Sequence, residues 1–219
     1  VNEFDPEFTT NYELAYRGSF FDDTLRIAAN VFFTEWEDQQ VRVSLNPAFP
    51  TFQTILNAGR SEFYGGEVSI EGEPTANLSL FGSVAIVETE ILEFSVNNVS
   101  LAGNSFRGAP KVTASLGGTY SWNNGISLSM DAAFTDSSFF DVQNTLGSQS
   151  DARWVVNGEL IFDSDRDWVA GIYIRNIFDE TYATSRFDNR ASAIPNVVPN
   201  SVVRSGEPRT IGAFLTKSF

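Results

Sequence analysis

The chain contains no cysteine and no histidine, and its lysines are only Lys111 and Lys217. Without cysteine there is no disulfide framework and no thiolate metal site. Without histidine, the Ser-His-Asp and Cys-His catalytic arrangements and imidazole metal sites are excluded within these 219 residues. We therefore predict no catalytic residue, no metal site and no cofactor in this chain.

Basic residues and long apolar runs are also scarce. The net charge is −14, which argues against a nucleic-acid partner because such partners need a basic surface. No apolar stretch approaches the roughly 18 residues of a transmembrane helix. The chain does not open with a charged and then apolar signal segment, so we expect a mature protein or a fragment.

What the sequence does contain is a repeated alternation of apolar and polar residues. It is clearest along residues 111–122 and Ile126–Thr135, where for example Leu128 lies on one face and Ser129 on the other. Only residues 123–125, which end in glycine, join the two segments, as expected for a tight hairpin turn. A period of two indicates strands whose two faces meet different media.

The pattern predicts nine strands joined by alternately short and long connections. An extension of the second strand to residue 43 is left open. The predicted strands cover residues 11–17, 24–34, 58–73, 77–87, 111–122, 126–135, 153–162, 168–178 and 209–219. A soluble β-sandwich also alternates, but it does not usually place short turns at one end and long loops at the other, as an outer-membrane β-barrel does.

The predicted strands also have the length that a membrane barrel needs. About 10 residues, tilted by about 40°, span on the order of 25 Å, which matches the apolar band of an outer membrane. Aromatic residues near the strand ends suit the interfacial girdles of such barrels: Tyr120, Trp122, Trp154, Phe162 and Trp168.

Counting strands back from the last one places the start of the chain on the extracellular side. Bacterial barrels have an even number of strands and short periplasmic turns. An odd count with an extracellular start therefore predicts that this chain is the C-terminal part of a larger barrel.

Several segments resemble the C-terminal barrel half of TonB-dependent outer-membrane receptors. In chain order they are Asp5-Pro6-Glu7 with residues 11–17 (NYELAYR), Asn57-Ala58-Gly59 with Gly65-Gly66-Glu67, Gly108-Ala109-Pro110, residues 175–182 (RNIFDETY), Gly206-Glu207-Pro208-Arg209-Thr210 and the terminal Phe219. Their order and spacing, rather than any one motif, carry the resemblance. Lys217 departs from it, because an apolar residue is more usual there.

The resemblance implies an all-β fold, an antiparallel transmembrane β-barrel of which residues 1–219 would form the C-terminal nine or so strands of about 22. The plug domain and the TonB-contacting segment would lie outside this chain. The implied protein is a receptor in the outer membrane of a Gram-negative bacterium. It would capture a scarce ligand, usually a ferric siderophore, and import it with energy relayed by the TonB complex.

Candidate ligand contacts lie in the longest predicted connection, residues 179–208. They are Arg186, Phe187, Asn189, Arg190 and Arg204, because arginine and aromatic side chains can hold anionic, planar ferric chelates by charge and stacking. Charged residues on the polar faces are expected to line the lumen or contact a plug: Arg26, Glu67, Glu71, Asp131, Glu159 and Arg175. Phe219 matches the terminal aromatic signal read by the barrel-assembly machinery. Lipid of the outer membrane is the expected surrounding of the barrel.

Other functions stay open from the sequence. One is a passive channel or another small non-enzymatic barrel, and another is a receptor for cobalamin or an oligosaccharide, since loops set the specificity. An outer-membrane enzyme is a third interpretation: known lipases, acyltransferases and proteases on such barrels resemble one another in relying on histidine, which this chain lacks and which an N-terminal part would have to supply.

Overall fold

A computed structural model of the chain describes residues 4–45, 53–164, 168–188 and 201–217. Every regular element in this part is a β-strand. None of the described residues forms a helix that could cross a membrane.

Fifteen strands are present in the described residues, and nine of them form one antiparallel sheet. The nine are β1 Phe8–Phe20, β2 Leu25–Ser44, β3 Gln53–Thr75, β4 Leu78–Glu93, β7 Val112–Ser121, β8 Ile126–Thr135, β11 Arg153–Ser164, β12 Trp168–Arg175 and β15 Thr210–Lys217. The other six form three short hairpins: β5 Ser95–Val96 with β6 Val99–Ser100, β9 Ser138–Phe139 with β10 Gln149–Ser150, and β13 Ala183–Asp188 with β14 Ser201–Ser205.

The nine strands follow one another across the sheet in chain order, each paired with its neighbour in the sequence of nine. This is the up-and-down arrangement of a barrel wall, and it confirms the predicted nine strands and their antiparallel pairing. The short hairpins lie in the long connections after β4, β8 and β12. We call the end of the sheet that carries these long connections the outer end.

Strands β3 and β4 are longer than predicted, and β2 has the extension to about residue 43 that the sequence prediction left open. They extend at the outer end to Ser44, Gln53 and Glu93, well past the segments that alternate. The sequence prediction stopped early because acidic and polar residues replace the apolar ones beyond the membrane-spanning part, and the period of two disappears there.

The two faces of the sheet differ as the alternation requires. Large apolar side chains on one face are exposed, among them Leu14 (74%) and Ile172 (56%). Leu116 and Leu128 are on the same face. We call this the apolar face; it is the side that lipid covers in a membrane barrel.

The opposite, polar face carries hydrogen bonds between neighbouring strands. The Oγ1 of Thr34 donates to Asn11 Oδ1 at 2.7 Å, and the hydroxyls of Thr119 and Ser129 are 2.8 Å apart. Ser83 and Ser115 make a similar pair at 2.7 Å. Polar side chains therefore satisfy one another on the side that faces the lumen.

An aromatic row marks the outer limit of the apolar face. Tyr12 on β1 is opposite Phe33 on β2, which is opposite Tyr64 on β3. Two residues nearer the outer end on β2 and β3, Glu35 is opposite Glu62, and Glu62 is opposite Glu90 on β4. The apolar face thus changes from aromatic rings to carboxylates between two successive residues on that face. Such a change is expected at the boundary between the apolar band of a membrane and the polar medium.

The buried core lies beyond this boundary. Among the described residues, the buried apolar side chains are Val43, Ala58, Ile91, Phe94, Val96, Leu101 and Val142, and they form a single cluster. They come from the outer ends of β2, β3 and β4 and from the connections after β4 and β8. The described residues therefore build their water-excluding core where the loops meet the outer ends of these three strands, beyond the membrane-spanning part of the sheet.

Candidate functional site

The connections at the outer end pack together over the sheet. In the connection after β4, the carbonyl of Asn104 accepts from the N–H of Ile91 at 2.9 Å, and Gly103 N donates to Ile91 O at 2.8 Å. These bonds attach the loop to the outer end of β4. The Val142 side chain of the connection after β8 completes the apolar cluster. We call this packed group of loops, residues 94–110 and 136–151, the cap.

The two loops of the cap are joined by paired hydrogen bonds. Ser105 N donates to Asn144 Oδ1 at 2.8 Å, and Asn144 Nδ2 donates back to Ser105 O at 3.0 Å. Asn104 Nδ2 also donates to Val142 O at 3.0 Å. Because both backbones take part, the loops hold each other in one arrangement.

An aromatic cluster fixes the cap to the polar face of the sheet. The ring of Phe106 lies 6.1 Å from that of Trp36 and 6.2 Å from that of Phe63, both in edge-on geometry. Phe32 extends the cluster, with its ring 6.1 Å from Phe63. The sequence interpretation did not single out these residues. Phe32 and Trp36 on the polar face of β2 were the available signal, since apolar rings break the alternation there.

A second junction joins the end of β12 to the start of β15. Its centre is Asn176, which is 2% exposed and has a positive φ of 51°. Its Nδ2 donates to the carbonyls of Glu180 and Glu207 at 2.9 and 3.0 Å, and its Oδ1 accepts from Glu180 N at 2.9 Å. One side chain thus joins two segments that are 31 residues apart in the chain.

The same junction explains the two sequence motifs that flank the longest connection. Arg209 N donates to Asp179 Oδ1 at 2.9 Å. The ring of Tyr182 occupies the space where a Cβ on Gly206 would lie. Arg153 lies over the same ring, with its Cζ 4.5 Å from the centroid. The motif residues 175–182 and 206–210 therefore hold the base of a loop.

A hydrogen-bonded chain connects this junction to the sheet. Asn157 Oδ1 accepts from Asn176 N at 3.0 Å, and Asn157 Nδ2 donates to Asp131 Oδ2 at 2.7 Å. Asp131, expected to line the lumen, thus has its partner on the neighbouring strand. Of the other charged residues on the polar face, Arg26 is directly opposite Glu71 in the β2–β3 register.

The structure does not bring the predicted ligand contacts together on one surface. Arg186 lies on β13 and Arg204 on β14, and Ser185 is the residue opposite Arg204. Neighbouring residues of a strand point to opposite faces, so Arg186 and Arg204 are on different faces of this hairpin. Asn189 and Arg190 lie outside the described residues, as does Phe219, and Phe187 is described only as part of β13.

The two arginines also differ in their surroundings. Arg186 Nη1 donates a hydrogen bond to the carbonyl of Gly147, and this bond connects the β13–β14 hairpin to the cap. Arg204 is exposed, and its carbonyl accepts from Thr184 Oγ1 at 3.1 Å. Arg204 is therefore the better placed of the two for an external ligand.

Two cations lie at the edges of the apolar face. Lys111, just before β7 at the outer end, forms an ion pair with Glu88, and the hydrogen bond and charge of that carboxylate raise the pKa of Lys111. Lys217, at the other end, lies over the ring of its cross-strand partner Trp168, with Nζ 5.0 Å from the centroid. Within the described ranges, no group of three or more acidic side chains is arranged to hold a metal ion.

Comparison with known proteins agrees with this architecture. The chain is 25% identical over 191 residues to the "Probable TonB-dependent siderophore receptor PiuA" of Acinetobacter baumannii, covering 84% of this chain and 24% of that protein. It is 23% identical over 222 residues to the metal-pseudopaline receptor CntO of Pseudomonas aeruginosa, covering 99% of this chain and 28% of that protein. The chain therefore spans about a quarter of the length of these curated relatives.

Solved receptor structures share the fold. The ferric yersiniabactin uptake receptor FyuA from Yersinia pestis superposes with a TM-score of 0.76 at 20% identity, over 99% of this chain and 30% of that one. The siderophore receptor PiuA from Acinetobacter baumannii gives a TM-score of 0.75 at 21% identity, over 98% of this chain and 29% of that one. The proteins named here are receptors, and relatives of this kind lie in the Gram-negative outer membrane.

The family model described as "TonB dependent receptor-like, beta-barrel" matches residues 1–210, which include eight of the nine strands of the sheet. Together with the strand order and the polar and apolar faces, this match shows that the chain belongs to the β-barrel family of TonB-dependent receptors.

Proposed function

We propose that the protein containing this chain is an outer-membrane receptor that imports a scarce metal chelate, a ferric siderophore above all, in a TonB-dependent manner. The observation that carries the proposal is the cap. A passive channel needs an open mouth, whereas here two long connections share an apolar core with the outer ends of β2, β3 and β4 and are pinned to the lumenal side by Phe106. Such a preformed surface suits capture of a ligand, because little ordering remains to be done on binding.

The relatives support the chemical class of this ligand. PiuA is named a siderophore receptor, FyuA a ferric yersiniabactin uptake receptor and CntO a metal-pseudopaline receptor. All three names describe a small chelator or its metal complex. The exposed Arg204 offers charge to an anionic chelate, and Arg186, on the opposite face of the β13–β14 hairpin, ties that hairpin to the cap.

The remaining partners follow from this role. The nine strands of the sheet serve as barrel wall, and a plug domain and a segment that contacts the TonB complex complete the proposed receptor. Lipid covers the apolar face, and the barrel-assembly machinery reads the terminal Phe219. No reaction is catalysed, because the protein binds and moves its ligand unchanged.

A deletion strain grown on defined iron sources tests the proposal. We expect loss of growth on one ferric siderophore, with loss of uptake of the same complex labelled with radioactive iron, and restoration by the full-length gene. A strain without TonB should behave like the deletion strain. Uptake that continues without TonB would contradict active transport and favour a passive channel. Cobalamin or oligosaccharide uptake in place of iron would change the ligand class.

A further inference from the structure

One lysine interrupts the uncharged surface that β7, β8, β11, β12 and β15 present to lipid. Neighbouring residues of a strand point to opposite faces, so the register of these strands shows which residues share the apolar face. Among the described residues of the five strands, Lys217 is the only charged one on that face. The others lie on the polar face: Asp131, Arg153, Glu159, Asp163 and Arg175.

Lys217 lies at the inner edge of the apolar face. We call the end of the sheet with the short turns the inner end, which is the periplasmic end of such a barrel. Two residues nearer the middle of each strand, the apolar face carries a row of uncharged cross-strand partners: Ile126, Phe162, Ala170 and Leu215. Lys217 is exposed beyond this row, at the level where acyl chains are replaced by head groups.

Trp168 holds the lysine at this level. It is directly opposite Lys217 in the β12–β15 register, and Lys217 Nζ lies 5.0 Å from its ring centroid. The Oγ of Ser164 donates to the Trp168 carbonyl at 3.1 Å and so fixes the start of β12. An indole attracts a cation to its face and favours the membrane interface. Since an ammonium has three N–H donors, contacts with the protein and a bond to an external anion are compatible.

The other lysine of the chain has different surroundings. Lys111, at the outer end, forms an ion pair with Glu88, so the protein itself supplies the anion there. The outer boundary also carries the row of Glu35, Glu62 and Glu90. At the inner end, the apolar face of the five strands carries a cation and, within the described residues, no carboxylate. A positive group on such a surface is complementary to the phosphate of a lipid head group.

We propose that Lys217 and Trp168 form a binding site for the phosphate of a phospholipid in the periplasmic leaflet of the outer membrane. The ammonium donates to the phosphate oxygens, the indole lies between head group and acyl chains, and Leu215 contacts a chain. The cation that departs from the apolar residue more usual at this position thus has a use. The site depends on the barrel standing in a membrane and not on uptake of a ligand.

Amine labelling of the full-length protein measures occupation of this site. The chain has only two lysines, so acetylation of Lys217 and of Lys111 can be followed by mass spectrometry in one sample. The protein is held in a maltoside detergent, which carries no phosphate. Added dioleoyl phosphatidylglycerol should slow acetylation of Lys217 by about fivefold, the effect expected for one lysine at an anionic lipid surface. Lys111 should change by less than about twofold, and inorganic phosphate at the same concentration should protect neither.

Three substitutions relate the protection to the structure. Trp168→Leu removes the ring and should reduce the protection of Lys217 to about twofold. Lys217→Met and Lys111→Met remove the same charge from the two ends of the sheet. Phosphatidylglycerol should raise the thermal midpoint of the Lys111→Met protein as much as that of the parent, and that of the Lys217→Met protein less. Heat-modifiable gel mobility confirms that each variant is folded before lipid is added.

Several results would overturn the site. Labelling of Lys217 that phosphatidylglycerol does not slow would show that no lipid is bound there. Equal protection of Lys111 would indicate general attraction of charge, and equal protection by inorganic phosphate a site for the free anion. Protection that survives Trp168→Leu unchanged, or a thermal shift that survives Lys217→Met unchanged, would also contradict the proposed pair. None of these measurements involves uptake, so the receptor function stands or falls separately.

Discussion

The ring of Phe81 on β4 lies against Gly117, its direct partner across the β4–β7 pair. A Cβ at residue 117 would be 2.7 Å from Phe81 Cζ and 2.6 Å from the carbonyl oxygen of Met130. The first contact could relax by moving a ring, but the second involves backbone of the next strand. Gly117 is thus a position where two strands and a ring approach closely enough to require glycine.

Gly117→Ala is expected to lower the free energy of unfolding by about 1–3 kcal/mol, because the added methyl group forces β7 and β8 apart. The matched control is Gly82→Ala, one residue from Phe81, where a Cβ would meet only Ser115 O at an ordinary 3.7 Å. Denaturant unfolding of the full-length protein in detergent measures both. Equal stability of the two variants would contradict the close approach at Gly117.

Leu128→Arg should cost about 2–4 kcal/mol in folding into lipid vesicles, because it places a charge on the apolar face within the membrane. The neighbouring Ser129→Arg lies on the polar face and should cost about 1 kcal/mol, for the lost hydrogen bond to Thr119. Folding yield against urea concentration gives both values. Equal costs would mean that the two faces are assigned wrongly.

Asn176→Ala should destabilise the outer end by about 1–3 kcal/mol, because the backbone groups of Glu180 and Glu207 lose the hydrogen bonds that the buried Asn176 side chain makes to them. Asn98→Ala is the control, since Asn98 also has a positive φ, 63°, but is exposed in the turn between β5 and β6. Limited proteolysis of the loops and thermal unfolding report the difference. A similar effect of both substitutions would mean that backbone strain, and not the hydrogen bonds, explains Asn176.

Arg204→Gln should weaken binding of an anionic ferric chelate by about tenfold at low salt, the loss expected for one charge-assisted hydrogen bond. Thermal stability should not change, because the side chain is exposed. Arg186→Gln should instead lower the thermal stability of the loops, because the carbonyl of Gly147 loses its hydrogen bond. Its direct effect on binding of the anionic chelate should be smaller than that of Arg204→Gln. Isothermal titration and proteolysis distinguish them, and identical effects would argue against opposite faces of the hairpin.

Deletion of Phe219 from the full-length protein should reduce its outer-membrane level and leave precursor in the periplasm, if the assembly machinery reads the terminal aromatic residue. Lys217→Tyr provides the contrast, since it restores the commoner apolar pattern and should leave insertion equal or better. Membrane fractionation and immunoblotting measure both. Normal insertion without Phe219 would remove the terminal-signal interpretation.

The alternation of apolar and polar residues predicted the sheet well and the loops poorly, for a physical reason. Lipid on one side and polar groups on the other impose a period of two on β7 and β8, so their limits were predicted within a residue or two. The outer parts of β2 and β3 are in water, and Glu35 and Glu62 there carry no such period. The hairpin around Asn97 and Asn98 had a detectable turn signal, because two consecutive asparagines favour positive φ.

The candidate site was harder to predict because its geometry depends on contacts between distant segments. Arg186 and Arg204 were selected by residue type, and only the register of β13 with β14 shows that they diverge. Asn176 and Arg209 were noticed as parts of motifs, yet their shared role at the base of one loop appears only when the ends of β12 and β15 are side by side. No local pattern reports a pairing across about 30 residues of sequence.

The seven-residue apolar cluster lies beyond the row of Glu35, Glu62 and Glu90. Two regions of the chain are therefore stabilised in two different surroundings, one in lipid and the other in water. The sheet is stable where lipid covers it, while the cap is stabilised by the hydrophobic effect in water, which weakens on cooling. Substitutions in one region leave the driving force of the other intact. Evolution can therefore redesign the recognition surface while the membrane wall keeps its pattern.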